Sequence, residues 1–177
     1  GGLPAGYRAG RKFPGQDGDF LMLGVRIVCQ GKLQEPFWQG AVAEYQKRLQ
    51  SLCRLELIQL PEERLPQNPS PAQIAAGLEK EAGLILPRLR GTVCPLCIEG
   101  RLLDSPGMAA LLDQAMQSPG SVTFVIGSSH GLAGRVKQAG QGISMSKMTF
   151  PHQLFRVMLA EQLYRGFSIL AGSKYHK

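Results

Sequence analysis

Three short stretches of this chain concentrate groups that could do chemistry. Ser144–Gln153, SMSKMTFPHQ, puts two serines, a lysine, a threonine and a histidine into one polar turn, more hydrogen-bonding groups than a simple connection needs. Val125–Leu132, VIGSSHGL, sets Gly127 and Gly131 around Ser128, Ser129 and His130, so the backbone there could come close to a ligand. It is not the G-x-G-x-x-G fingerprint and no P-loop lysine follows, and a plain glycine turn before a helix reads equally well. Cys94–Cys97, CPLC, has two thiols at a spacing that could share a metal or a disulfide.

Several reaction classes are disfavoured at once. Ser128 and Ser129 lack the G-x-S-x-G elbow of a serine hydrolase, and the acids cluster in helical stretches and at Glu62 and Glu63, where solvated surface is the default. His130, His152 and His176 have no carboxylate at ligand spacing, so no metal is expected. Cys29 and Cys53 are too far apart in sequence to make the second pair a zinc site needs. TVCPLCIEG reads as a strand and not as the helix start of a thioredoxin motif, so the four cysteines are read as buried strand residues.

The C-terminal end has a different character. From Lys147 onward five cations face one acid, Glu161, in a chain of formal net charge +7. Arg156 and Arg165 flank Tyr164, and Lys174, Tyr175, His176 and Lys177 end the chain. Aromatics interleaved with cations suit RNA, whose bases stack and whose phosphates pair with charge. A basic surface that serves solubility and a frayed solvated tail are the competing explanations. No run of eighteen apolar residues and no signal pattern occurs, so a cytoplasmic protein with no membrane partner is expected.

These groups need elements to hold them. Residues 1–21, glycine-rich and without apolar period, resemble a tag remnant or upstream read-through, and residues 22–177 are expected to form a single domain. Within it, MLGVRIVCQGK predicts a strand and the stretch from Pro36 a helix. CRLELIQLPE predicts a second strand, and Ser70 with Pro71 caps a helix running to about Arg90, kinked or ended near Pro87. TVCPLCI, then Ser105–Gln117, then SVTFVIG give strand, helix, strand. A short helix over Leu132–Ala139, a strand near Ile143 and a final helix from Pro151 to about Leu170 follow. Strand and helix alternate throughout, which predicts an α/β fold with a largely parallel sheet and helices on both faces. In such folds ligands bind at the carboxyl ends of the strands, here the loops after Ile98, Ile126 and Met145.

Taken together, CIEGRLLDS, FVIGSSHGL and SMSKMTFPHQLFRVMLAEQLYRGFSILAGSKYHK resemble the RlmH-type methyltransferases of the SPOUT superfamily, over about Met22–Lys177. The resemblance implies an α/β fold with a C-terminal trefoil knot and a homodimer. It also implies S-adenosylmethionine-dependent methylation of N3 of a pseudouridine in 23S ribosomal RNA, within the assembled ribosome and without a metal. Carried across by motif, it places the cofactor among Leu96, Gly127 and the loop Met145, Ser146, Lys147, Met148, Thr149 and Phe150. Tyr175, His176 and Arg165 become the catalytic candidates, the first two to orient the base or accept its proton. Arg156 and Lys174, again with Arg165, would hold phosphates. Against the family pattern, Ser128 stands where a second glycine is usual, His130 at the polar position before the next glycine, and Cys97 where an acid is usual. A ribosome-associated binder that has lost catalysis and a flavodoxin-like nucleotide module are the rival readings.

Overall fold

The computed structural model describes residues 22–176, so the expectations for residues 1–21 and for Lys177 lie outside the described residues. Ten elements alternate in order: β1 (Gly24–Gln30), α1 (Pro36–Leu49), β2 (Arg54–Leu60), α2 (Pro71–Ile85), β3 (Thr92–Leu102), α3 (Ser105–Gln117), β4 (Ser121–Ile126), α4 (Gly134–Lys137), β5 (Ile143–Ser144) and α5 (His152–Leu170). The strands form one sheet in the order β2-β1-β4-β3-β5, with every pairing parallel. Parallel pairing requires crossovers, and the helices supply them.

The central strands show why the sheet must be covered twice. Along β1, Val25, Ile27 and Cys29 enter one apolar layer with Phe124, Leu112, Leu159, Leu163 and Phe167. Val28 enters the opposite layer with Val125, Ala82, Ile85 and Val136. Successive side chains of a strand point to opposite faces, so α1, α3 and α5 cover one face and α2 and α4 the other. Phe124, Val125 and Val28 are fully buried, each contributing roughly 1.5–3 kcal/mol by leaving water. None of the described helices is long and apolar enough to cross a membrane.

Helix α2 starts as Ser70 predicts. The Ser70 hydroxyl accepts from the Gln73 amide at 3.2 Å and the Gln73 side chain accepts from the Ser70 amide at 2.9 Å, a reciprocal capping box. Of the expected outcomes, a kink or end near Pro87 is the one observed. The α-helix stops at Ile85, and a 3-10 turn over Leu86–Arg88 follows, because Pro87 has no N–H to continue the ladder. Helix α4 is shorter than the expected Leu132–Ala139, and Pro151 sits just before α5 as its cap residue.

Strand β3 departs most from expectation, running on to Leu102 instead of stopping near Ile98. Leu96 pairs with Ile143, the chain bulges, and Arg101 and Leu102 then pair with Ile143 and Ser144. The segment before β5 lies hard against β3: a Cβ on Gly140 would overlap the Val93 carbonyl oxygen. Only a residue without a side chain fits that crossing.

Helix α5 is buried along one face. Arg156, Leu159, Ala160, Leu163, Phe167 and Leu170 are buried, whereas Leu154, Val157 and Met158 are only half-buried.

Candidate active site

A cleft of about 390 Å³ opens at the carboxyl ends of β3 and β4. Three chain segments wall it: Leu96–Glu99, Ile126–Leu132 and Ile143–Phe150, with the first turn of α5 closing one side through His152 and Phe155. Of the predicted cofactor residues, Leu96, Gly127, Met145, Ser146, Met148, Thr149 and Phe150 line it together. Lys147 belongs to the same loop but is exposed and outside the lining.

The loops hold their shape with their own hydrogen bonds. Ser144 donates its hydroxyl to the Ser146 carbonyl at 2.9 Å, and the Ser146 hydroxyl accepts from the Met148 amide at 2.9 Å. Two of the surplus polar groups of SMSKMTFPHQ therefore brace the turn. In the glycine loop the Gly131 amide donates to the Ser128 carbonyl at 2.9 Å. A Cβ on Gly127 would overlap the Gly131 carbonyl, so the wall of the cleft here is bare, tightly folded backbone.

The lining is apolar in depth, with Leu96, Ile126, Leu132 and Ile143 buried. Polar groups gather at its mouth, where Lys137 of α4 pairs with Glu99 of β3. An apolar slot with backbone donors and acceptors at its rim suits an adenine-bearing ligand of moderate size. The glycine cradle and the volume fit S-adenosylmethionine.

Sequence reasoning missed Glu99, Lys137 and Phe155 as lining residues; Cys97, which it marked only as a departure from the family pattern, and His152 of the polar turn also line the cleft. Cys97 and Glu99 enter the wall because β3 bulges, which no local pattern signals. Cys29 in β1 and Cys94 in β3 are buried strand thiols, as expected; Cys53 is buried but sits just before β2, and Cys97 in β3 is only half-buried. Burial pushes the Cys29 and Cys94 thiols up to about 11 and Cys53 to about 12. Burial also raises Cys97, helped by Glu99 and opposed by Lys137.

A thiol count with an alkylating reagent at pH 8 is expected to show one group, Cys97, reacting far ahead of three protected ones. Saturating S-adenosylhomocysteine should slow that group severalfold. Because the folded thiols hold their protons above the ordinary pKa of 9.0, their contribution to stability is complete below pH 9. It is lost as pH rises through 11 to 12.

The predicted catalytic residues form a second cluster, apart from the cleft lining. The Tyr175 hydroxyl donates to Glu161 at 3.2 Å, and its ring meets Tyr164 edge-on at 4.8 Å and lies 4.8 Å from the Arg165 guanidinium. Arg165 is held by Glu161 at 2.9 Å and reaches His176 Nδ1 at 3.4 Å. Glu161 also lines a separate groove of about 460 Å³ with Tyr45, Met108, Val157 and Met158. Met145 reaches both hollows, so one stretch of backbone divides the groove from the cleft. Lys174 stands exposed on the tail.

Burial, together with the neighbouring Tyr45 hydroxyl and Glu161 carboxylate, pushes the Tyr175 phenol up to about 12, which favours the orienting half of its expected role, with the hydroxyl donating a hydrogen bond. One expectation is corrected. Arg156 is only 3% exposed and donates Nη2 to the carbonyls of Gln30 at 2.6 Å and Gly31 at 2.9 Å. Its guanidinium ties α5 to the end of β1 and is not free to hold a phosphate.

A parallel open sheet, helices on both faces and a backbone-walled cleft at the strand carboxyl ends define an α/β protein of the cofactor-binding kind. The chain belongs to the SPOUT methyltransferases: residues 23–176 match the family described as "Predicted SPOUT methyltransferase". Among solved structures it is similar to a probable methyltransferase from Bordetella pertussis Tohama I. The TM-score is 0.50 at 16% identity, covering 81% of this chain and 93% of the other, a likeness of fold.

Proposed function

We propose that this protein is a cytoplasmic, S-adenosylmethionine-dependent RNA methyltransferase that acts as a homodimer on N3 of a pseudouridine in 23S ribosomal RNA within the ribosome. One observation carries the reading: in a chain of this family, the three loops that the RlmH-type motifs designate come together around one cleft. The knotted connection that the resemblance implies is part of this proposal.

When bound, the cofactor supplies a methyl group on a sulfonium. The rest is positioning, which can provide much of the acceleration of a displacement. Backbone groups around Gly127 and the Met145–Phe150 loop would grip adenine and ribose, and the apolar walls would exclude water. The acceptor nitrogen must lose its proton, a step for which His176 is suited by residue type. Arg165, already fixed by Glu161, would stay charged against phosphate, with Lys174 adding a second cation. The Tyr175 phenol would orient the base by donating a hydrogen bond.

Because the tail cluster lies outside the cleft lining of its own chain, we assign it to the cleft of the partner subunit. At S-adenosylmethionine concentrations well below saturation of the Gly127-altered chain, that chain and a chain altered at His176 should each be nearly inactive alone. Mixed and allowed to exchange subunits, they should recover about a quarter of wild-type activity, because half of the two-fold dimers would carry one intact site of two. A tail serving its own cleft gives no recovery. The reaction itself is tested by transferring labelled methyl groups to 70S particles, isolated subunits and free 23S RNA, then mapping the product by mass spectrometry. Methylpseudouridine in the ribosomal sample is the expected result. Label on protein only, or none, contradicts the reading.

A further inference from the structure

Glu81 is a carboxylate that the proposed reaction does not use and that a core ordinarily excludes. It lies in α2 and is 4% exposed. Both of its oxygens are taken by neutral donors: the Glu63 amide at 3.0 Å and the Ser128 hydroxyl at 3.0 Å. The neighbouring Lys80 turns outward to the Glu63 carboxylate at 2.8 Å instead. A buried carboxyl group is tolerated only where hydrogen bonds replace its lost water, so these two donors are what allow Glu81 to remain there.

The donors come from two different loops, one after β2 and one after β4. A single carboxylate thus fastens α2 to both loops at the edge of the sheet where the cleft opens. Ser128 is itself buried at 8% exposure and lines the cleft. Its carbonyl receives the Gly131 amide, and Gly127 packs against Gly131 so closely that no side chain fits between them. Holding the Ser128 side chain therefore holds the whole Gly127–Gly131 turn, the bare backbone that a ligand would touch.

We propose that Glu81 is a positioning residue that, through Ser128, presets the Gly127–Gly131 turn for the cofactor. It reaches no ligand itself. Its effect is to reduce the ordering that binding would otherwise require. The inference rests on the reading of the cleft as the S-adenosylmethionine site.

The test compares wild type, Ser128→Ala, Glu81→Gln and Glu81→Leu by amide hydrogen exchange without ligand, S-adenosylhomocysteine binding, and steady-state kinetics with varied S-adenosylmethionine. Ser128→Ala should exchange faster at residues 128–132 alone and show a cofactor KM raised about tenfold, the loss of one buried hydrogen bond. Its kcat should stay within about twofold of wild type, since the bond holds the binding loop and not the reacting groups. Glu81→Gln should stay near wild type, because an amide can still accept from the Glu63 N–H and donate to the Ser128 hydroxyl. Glu81→Leu, which can do neither, should match or exceed the Ser128→Ala defect. If it fails to fold, Ser128→Ala still decides.

An unchanged KM in Ser128→Ala, or an equal fall of kcat with KM constant, overturns the inference while leaving cofactor binding by the wild type intact. A wild-type chain that binds no S-adenosylhomocysteine overturns the proposed function, and the turn then has no cofactor to be preset for. The two failures are therefore read from different proteins.

Discussion

Gly127→Ala is expected to raise the dissociation constant for S-adenosylhomocysteine by about a hundredfold, near 2.7 kcal/mol, while the circular-dichroism spectrum stays that of the wild type. The added methyl would occupy the place of the Gly131 carbonyl and press on Leu132, so the turn must open. Gly127 lies past the end of β4, beyond its last residue Ile126, and the strand pairings need not move. The turn is also the cleft wall, which makes the distortion functional before it is structural. Calorimetric titration of the two proteins measures the difference, and a near-equal affinity would show that the ligand does not touch this wall.

Gly140→Ala is expected to act on the opposite quantity, lowering stability by at least about 3 kcal/mol and the unfolding midpoint by roughly 6–12 °C. The obstacle is the Val93 carbonyl, backbone within β3. A flexible side chain could swing away, but a carbonyl in the backbone of a strand that is paired with β4 cannot move without shifting the strand. The segment 138–142 joins α4 to β5, so strain there also displaces the loop that follows β5 and carries Met145–Phe150. Thermal unfolding checks the prediction, and a midpoint within a degree of wild type would contradict this close packing.

What could be read in advance follows from which forces act locally. Val25, Ile27 and Val28 in β1 and Val122, Phe124 and Val125 in β4 are strand-length apolar runs, and runs buried on both faces belong to parallel sheets. The Ser70–Gln73 box is likewise local. The carboxyl-end rule applied to those strands picked out the cleft before any side chain was placed.

What could not be read depends on partners far away in the chain. The strand β3 continues over Glu99 and Arg101 because it is pinned by β5; a strand near Ile143 is legible locally, but its pairing with Leu96, Arg101 and Leu102 across a bulge is not. Arg156 looks like a surface cation in a helical stretch, and only its approach to Gln30, 126 positions earlier, shows it is buried. Glu81 likewise looks solvated until Ser128, 47 positions later, folds over it. Charge near a chain end predicts a ligand only when the tertiary structure leaves that charge free.

Direct calorimetric titration of the purified wild-type chain with S-adenosylmethionine tests most simply whether the three-loop cleft is the cofactor site. Saturable binding of one ligand per chain, weakened by Gly127→Ala and unaffected by Lys174→Ala, is the predicted result. No detectable heat or protection at millimolar ligand would contradict it.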